Sequence, residues 1–270
     1  MPTILNQRMS KKIIDISVLG QTDGYFVINK TEDVIYKVND SAKIKLVNGV
    51  NATILDNTNG KEINVVIKDS SYLKYEILDS KNTNRCFDVD GELFINQITF
   101  TNTKENLLIN LNSENATSNA NVLVLENEGN VDFVQYVDHK TQKTFSNISN
   151  VGVAIKKSNI TFDTTGKIEK SMSSSNCRQL SRGVVLDDES HIKSKPILLI
   201  DEYDCFASHG AAIGKLRDED LFYLMSRGLN KNDAFLLILE GIIKPFIDNI
   251  SVEETKESVL NNVKQMIEKW

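Results

Sequence analysis

The feature of this chain that most constrains its fold is a long series of short apolar runs with no proline among them. Between Pro2 and Pro196 there is no proline at all. Runs such as 25–28, 72–78 and 93–100 are separated by Asn, Asp, Gly, Ser and Thr clusters at intervals of about 8–15 residues. This pattern predicts β-strands from residue 12 to about 205. A β-sandwich and a solenoid of stacked coils are both compatible with the spacing, because the sequence has no clear repeat that would distinguish them.

The pattern becomes helical after the strand-rich part. Asp218 is the predicted N-cap of a first helix over 219–227, and Gly228 supplies the residue that ends it. The predicted domains are therefore a β body over residues 1–215 and a small helical domain over 216–270.

Two further helices are predicted in this tail. Asn230 starts the second, over residues 231 to about 248, and Pro245 is expected to kink or end it. Ser251 and Glu254 form a predicted capping box for the third helix. The apolar face of the second helix is predicted to contain Ala234, Leu237 and Ile238.

Composition excludes several classes of protein. The 270 residues carry a net charge of −6, whereas a nucleic-acid-binding protein shows a basic face. The apolar runs are too short to cross a membrane, and the N-terminus lacks the apolar stretch of a signal peptide. We therefore expect a cytoplasmic protein. The three cysteines, Cys86, Cys177 and Cys205, contain no CxxC pair of the kind used in local zinc or cluster sites.

The most informative segment is 196–229, which combines a Gly-rich turn with the densest group of metal-capable side chains. Asp201, Glu202, Asp204, Cys205 and His209 all lie within nine residues.

A run of elements around this segment resembles the C-terminal signature of the SufB/SufD family of iron–sulfur cluster assembly scaffolds. These elements are, in order, DTTGKIEKSMSSSNCRQLSR (163–182), VVLDDESHIKSKPILLIDEYD, ASHGAAIGKL and DLFYLMSRGL. Gly210 after His209 makes the resemblance SufD-like, since SufB-like chains usually carry an acidic residue there. The long helical front region usual in the family is not present in this sequence, so we expect a short form.

This resemblance implies a fold and a function. The fold would be a right-handed parallel β-helix followed by a small helical domain. The chain would be a scaffold subunit of a SUF-type assembly complex and not itself an enzyme, paired with a SufB-like paralogue or with a second copy of itself. An ABC-type ATPase would dock on the C-terminal helices. A cluster would be held only transiently in the complex, and no cofactor would be bound stably by this chain alone.

His209 is the main candidate for a site residue. Its place in Ser-His-Gly corresponds in the resemblance to a family histidine implicated in cluster assembly at the subunit interface. An imidazole can ligate iron, transiently here, or move a proton near neutral pH. The residue type alone favours a structural histidine hydrogen-bonded at the end of a β-helix, and the resemblance reverses that preference.

The cysteines are weaker candidates. Family members with a cysteine in this motif place it two residues before the histidine, where this chain has Ala207, whereas Cys205 lies four before His209. In a strand those two residues are about 13 Å apart, too far to share a metal without a bulge or turn. Cys177 follows a polar stretch and precedes Arg178, which would favour the thiolate, so it is a candidate sulfur-accepting thiol or an ordinary strand or loop cysteine.

The remaining titratable residues are expected to be structural. His139 and His191 are predicted on the surface, and Cys86 is predicted to have a structural role. A rival hypothesis is a carbohydrate-active or polysaccharide-binding β-helix protein that uses the acids of 187–189 and 201–204. Acids in turns more often cap backbone N–H groups, and the chain has one Trp with which to stack a sugar.

The helical tail carries more apolar side chains than one buried stripe requires, which predicts an exposed docking surface. The alternative is that the helices cap the last coil and hide its edge strands. The candidates for ATPase docking are Phe222, Tyr223, Arg227, Gly228, Phe235, Leu236 and Leu239.

Overall fold

The computed structural model describes residues 11–100 and 102–268, so parts of both predicted domains, residues 1–10 and 269–270, lie outside the described residues. It contains eighteen strands and a short 3₁₀ helix, Ile16–Leu19. The strands are β1 (Lys12–Asp15), β2 (Gln21–Thr22), β3 (Tyr25–Ile28), β4 (Val34–Val38), β5 (Ala42–Leu46), β6 (Asn51–Asp56), β7 (Glu62–Ile67), β8 (Tyr72–Leu78), β9 (Asn84–Val89), β10 (Glu92–Thr99), β11 (Thr103–Leu111), β12 (Thr117–Asn127), β13 (Asn130–His139), β14 (Phe145–Ile155), β15 (Asn159–Ile168), β16 (Ser175–Val185), β17 (His191–Ile200) and β18 (Cys205–Lys215).

The strands form two facing nine-stranded sheets. The first has the order β1-β4-β6-β8-β10-β12-β14-β16-β18, and the second has the order β17-β15-β13-β11-β9-β7-β5-β3-β2. From β4 onward, consecutive strands alternate between the two sheets, and every pairing except β2 with β3 is parallel. Parallel sheets whose strands alternate along the chain are stacked coils, so the predicted β-helix is confirmed and the sandwich is excluded.

The coils lengthen along the chain, which explains the lack of a sequence repeat. Asn51 pairs with Tyr72, 21 positions later, whereas Phe145 pairs with Asn176, 31 positions later. The strands lengthen as well, from four residues in β1 to eleven in β18. A solenoid whose coil length changes has no fixed period for a sequence comparison to detect.

The interior changes in character from the first coils to the last. Ile54, Tyr75 and Phe87 are fully buried between the sheets of the early coils. In later coils the interior includes the amides of Gln135 and Asn150, which hydrogen-bond each other at 2.8 and 3.0 Å. Buried amides are tolerated there because each has a partner inside the coil.

Several strands lie outside the apolar runs from which the sequence predicts strands. They include β6, β9, β15 and β18, the last in place of the expected Gly-rich turn. In β15 the side chains alternate between buried and partly exposed, and the outward positions are polar. Each residue of β18 from Cys205 to Lys215 pairs in continuous register with β16, and this pairing holds a Gly- and Ala-rich segment extended.

Three helices follow the strands: α1 (Asp218–Ser226), α2 (Lys231–Ile247) and α3 (Glu253–Glu268). The predicted cap of α1 is wrong by one residue, because Arg217 is the N-cap and Asp218 already belongs to the helix. Gly228 follows α1 with φ of 98°, as predicted for the residue that ends it. Asn230 caps α2 as predicted, its side chain accepting from the Asp233 N–H at 2.9 Å.

Helix α2 ends two residues after Pro245, within one residue of its predicted end, whereas the capping box of α3 needs correction. Pro245 lies inside α2, which continues to Ile247. Ser251 does not cap α3: its N–H and hydroxyl both donate to the carboxylate of Glu76, which is fully buried in β8. The Val252 carbonyl accepts the first hydrogen bonds of α3 instead.

The tail lies along the outer face of the first sheet and not on the end of the solenoid. Helices α2 and α3 share one buried apolar cluster with the outward side chains Leu123, Leu125 and Val153. The Asn96 amide in β10 donates to the Phe246 carbonyl in α2 at 3.0 Å. The helices therefore cover the flank of the early and middle coils and leave the last strand exposed.

The buried face of α2 differs from the predicted one. Ala234 is buried as predicted, but Leu237 is about half exposed. Phe235 and Leu239 are buried instead, because the sheet and the neighbouring helices contact α2 from two sides. In the described ranges, no helix combines the length and apolar character that a membrane crossing requires.

Candidate functional site at the last coil

His209 lies on β18, the last strand of the first sheet. Its Cα is paired with that of Gln179 in β16, so both side chains point to the interior side of the sheet. Among the described residues, no strand follows β18 in the first sheet, and the His209 side chain is exposed. The residue therefore lies at the open end of the solenoid, where a second molecule could contact it.

Cys205 lies in the same strand as His209, and the strand has no bulge between them. Four residues of extended chain separate their Cα atoms by about 13 Å, so the two side chains cannot bind one metal within this chain. The Cys205 thiol donates to the Glu202 carbonyl at 3.2 Å. Burial raises its pKa, and the nearby Glu202 and Asp204 add to the effect, so the thiol stays protonated near neutral pH.

Cys177 is fully buried on the interior face of β16 and does not lie in a polar loop. The expectation that Arg178 favours its thiolate is wrong, because neighbouring residues of a strand point to opposite faces. The Arg178 guanidinium lies on the outer face, over the rings of Phe145 and Phe206. Burial raises the pKa of Cys177, as expected for a thiol in the interior.

The dense group of acids and other metal-capable residues in 201–209 does not converge. Within residues 11–100 and 102–268, no three His, Cys, Asp or Glu side chains are placed to hold a metal ion. Glu202 accepts from the backbone N–H groups of Asp204 and Ser171, which lower its pKa. Asp187 accepts in the same way from Lys156, Glu189 and Ser190. The interpretation as turn caps is confirmed for Asp187 and Glu202, whereas Asp188 and Glu189 form exposed ion pairs with Lys215 and Lys157.

The other histidines and Cys86 have clear structural settings. His191 is exposed at the start of β17, as predicted. The surface prediction for His139 is wrong: its ring is buried between the hydroxyls of Thr144 and Ser146, at 2.7 and 2.8 Å, and burial lowers its pKa to about 4. Cys86 is half-buried on the outer face of the second sheet, and burial raises its pKa.

Sequence reasoning did not identify Gln179, the residue paired with His209 in the adjacent strand β16. Gln179 is buried, and its Nε2 donates to the Ile197 carbonyl of the facing sheet at 3.2 Å. Gly166 makes room for this amide, because a Cβ on Gly166 would lie 2.9 Å from that nitrogen. Gln179 lies in the stretch 163–182 that carries part of the resemblance, but the sequence does not show that it pairs with His209, thirty residues later.

The candidates for ATPase docking divide into exposed and buried residues. Phe222 and Tyr223 in α1 are 75% and 56% exposed, and the Arg227 guanidinium lies 5.2 Å from the Tyr223 ring centre. Gly228 is also exposed. Phe235 and Leu239 are buried and so cannot be part of a surface, and Leu236 packs partly against the tail cluster.

Comparison with known proteins gives a consistent result. The family model "SUF system FeS cluster assembly, SufBD core domain" matches residues 26–242. The iron–sulfur cluster assembly protein SufD of Bacillus subtilis is 31% identical over 146 residues, which are 54% of this chain and 33% of that protein. SufD of Escherichia coli is 25% identical over 165 residues, 61% of this chain and 39% of that protein.

A SufBD family protein of Pyrococcus horikoshii is 39% identical over 87 residues, 32% of this chain and 18% of that protein. The aligned part of the chain thus spans between about a fifth and two fifths of these curated relatives.

Proposed function

The chain belongs to the SufBD core family of the SUF system for iron–sulfur cluster assembly, and from that membership we propose that it is a scaffold subunit with no catalytic activity of its own. The observation that carries the proposal is the family match over residues 26–242, which includes the whole last coil. A cluster is its cargo, held transiently in a complex that acts in the cytosol. The SufD relatives favour a SufD-like role.

A partner scaffold, either a SufB-like paralogue or a second copy, docks on the last coil. Support comes from exposed apolar side chains at this end, which are Ile197, Leu199, Tyr203, Phe206 and Ile213. The two edge strands also differ. Strand β17 carries Lys193, Lys195 and Pro196, which discourage pairing with another strand, whereas β18 has no charged residue or proline from Cys205 to Gly214. The partner therefore pairs along β18.

His209 acts at this interface. Because the described part of the chain supplies no set of three ligands, an iron or cluster intermediate needs further ligands from the partner. The exposed imidazole supplies one nitrogen ligand or moves a proton there. Cys205 and Cys177 are poorer candidates, since both thiols have raised pKa values.

The experiment that tests the role of His209 compares His209→Ala with His191→Ala, an exposed histidine on the neighbouring edge strand. We expect His209→Ala to abolish cluster formation by the purified complex and to change the melting temperature by no more than a few degrees, because the side chain packs against no further coil. His191→Ala should leave both unchanged. Full cluster formation by His209→Ala would contradict the proposal.

An ABC-type ATPase docks on α1 through Phe222 and Tyr223, the most exposed aromatic residues in the described part of the helical tail. The double variant Phe222→Ser/Tyr223→Ser should lose co-purification with the ATPase and keep its β-rich circular dichroism. Val18→Ser, an equally exposed apolar residue at the opposite end of the solenoid, is the control and should bind normally. Unchanged ATPase binding by the double variant would remove α1 from the docking surface.

A further inference from the structure

The interior of the last coils contains a buried acceptor without a partner. Gln179 is 5% exposed, and its Oε1 has no hydrogen-bond partner among the described residues. Most buried side-chain oxygens have at least one partner, so an exception calls for an explanation.

The orientation of this amide is fixed by its other hydrogen bond. The Ile197 carbonyl can only accept, so the amide nitrogen of Gln179 must face it and the oxygen must face away. Gly166 leaves the amide in this position, since any side chain there would press against Nε2. The amide is held at one end, and its oxygen is available to a donor.

His209 is the register partner of Gln179 and carries a ring N–H that can serve as that donor. The two Cα atoms are register partners in adjacent parallel strands, which lie about 4.8 Å apart with their side chains on the same face. The flanking interior residues on β18, Ala207 and Ala211, have no side-chain donor. A neutral imidazole carries one N–H, and the group that accepts from it determines which nitrogen is protonated.

We propose that Gln179 is a positioning residue for His209. The exposed imidazole, which is not hydrogen-bonded to Oε1 in this structure, turns inward so that Oε1 accepts a ring N–H. This bond fixes one tautomer and leaves the other ring nitrogen unprotonated and directed to the open end of the solenoid. The inference rests on the proposed role of His209 in cluster assembly. It assigns to Gln179 the function that a second residue commonly has at metal-binding histidines, where the partner of one ring nitrogen orients the other.

The test measures the tautomer of His209 directly in the full chain. Protein labelled with ¹⁵N-histidine is examined by long-range ¹H–¹⁵N NMR at pH 8, above the ordinary histidine pKa of about 6.5, and His209→Ala assigns the signal. We expect one dominant tautomer in the wild type and a mixture of both in Gln179→Leu. Gln179→Glu keeps an acceptor, so it should keep the single tautomer.

Gln135→Leu is the matched control, because Gln135 is also a buried amide in this interior but hydrogen-bonds to Asn150 and Thr164. It should lower stability and leave the His209 tautomer as in the wild type. An identical tautomer distribution in the wild type and Gln179→Leu overturns the proposal. Should Gln179→Leu not fold, a mixture of both tautomers in Gln179→Glu overturns it instead.

The tautomer measurement tests the positioning role of Gln179 independently of the assembly role of His209. Normal cluster formation by His209→Ala would refute the assembly role while leaving the tautomer result intact. A tautomer that ignores Gln179, with cluster formation still lost in His209→Ala, would refute only the positioning role.

Discussion

Replacing Arg85 by methionine should destabilise the protein more than any other single loss of charge described here. The Arg85 guanidinium is almost fully buried between the carboxylates of Asp56 and Glu105. It donates from Nε to Asp56 at 2.8 Å, from Nη1 to Glu105, and from Nη2 to the Ser80 hydroxyl at 2.6 Å. The Tyr75 hydroxyl also donates to Asp56, at 2.7 Å.

The expected loss of stability comes from the buried carboxylates of Asp56 and Glu105, which remain without their cation. Removing one partner of a buried ion pair typically costs about 3–5 kcal/mol, because the other charge stays buried without compensation. Burial acts to raise the pKa of Asp56, but Arg85 outweighs it and holds that pKa below its usual value. Burial raises the pKa of Glu105 despite Arg85. The free energy of unfolding of Arg85→Met should therefore be about 3–5 kcal/mol lower than that of the wild type at pH 7.5.

The stability lost in Arg85→Met should also depend on pH, and it should be smaller under acidic conditions. Without the cation, the folded-state pKa values of both carboxyls lie above their unfolded values. A group whose pKa is higher in the folded than in the unfolded state stabilises the folded protein less and less as the pH rises from the unfolded to the folded pKa. The variant should therefore be closer to the wild type at pH 5 than at pH 7.5.

Urea unfolding followed by far-ultraviolet circular dichroism at both pH values measures these differences. Lys195→Met is the control, since its ion pair with Asp163 is exposed and should contribute less than about 1 kcal/mol. A loss below about 1 kcal/mol for Arg85→Met, or a deficit that grows on acidification, would refute the reasoning.

Three other predictions concern stability. Burial holds the folded-state pKa of His139 at about 4, below its ordinary value of 6.5. The free energy of unfolding of the wild type should therefore fall by up to about 3 kcal/mol as the pH is lowered from 6.5 to 4. In His139→Gln this dependence on pH, measured by urea unfolding, should be weaker. Gly166→Ala should cost about 1–3 kcal/mol, because the new Cβ overlaps the Cys177 sulfur, and adding Cys177→Ala should restore part of the loss in thermal melts. Leu239→Ala should cost about 2–5 kcal/mol, whereas Leu237→Ala should change the unfolding free energy by less than about 0.5 kcal/mol; equal effects would contradict the observed orientation of α2.

The sequence alone determined the features that depend on neighbouring residues. Strands β3, β4 and β8 lie where their apolar runs predict them, and α2 begins at the Asn230 cap. Asp187 and Glu202 were interpreted correctly as turn caps because each accepts from N–H groups two or three residues away. Each also accepts from an N–H 31 positions earlier, which the sequence does not show. The resemblance around His209, and not the strand spacing, distinguished a β-helix from a sandwich.

Only the tertiary structure decided the features that join distant parts of the chain. Ser251 has the sequence of a cap but binds Glu76, 175 residues earlier, because folding the tail onto the sheet brings a buried carboxylate within reach. His139 looks like a surface residue until Thr144 and Ser146 enclose its ring. The segment after Cys205 looks like a turn until β16 pairs with it and holds it extended. In each case a partner far along the chain, or a coil closing around the residue, supplied the free energy that local preference did not.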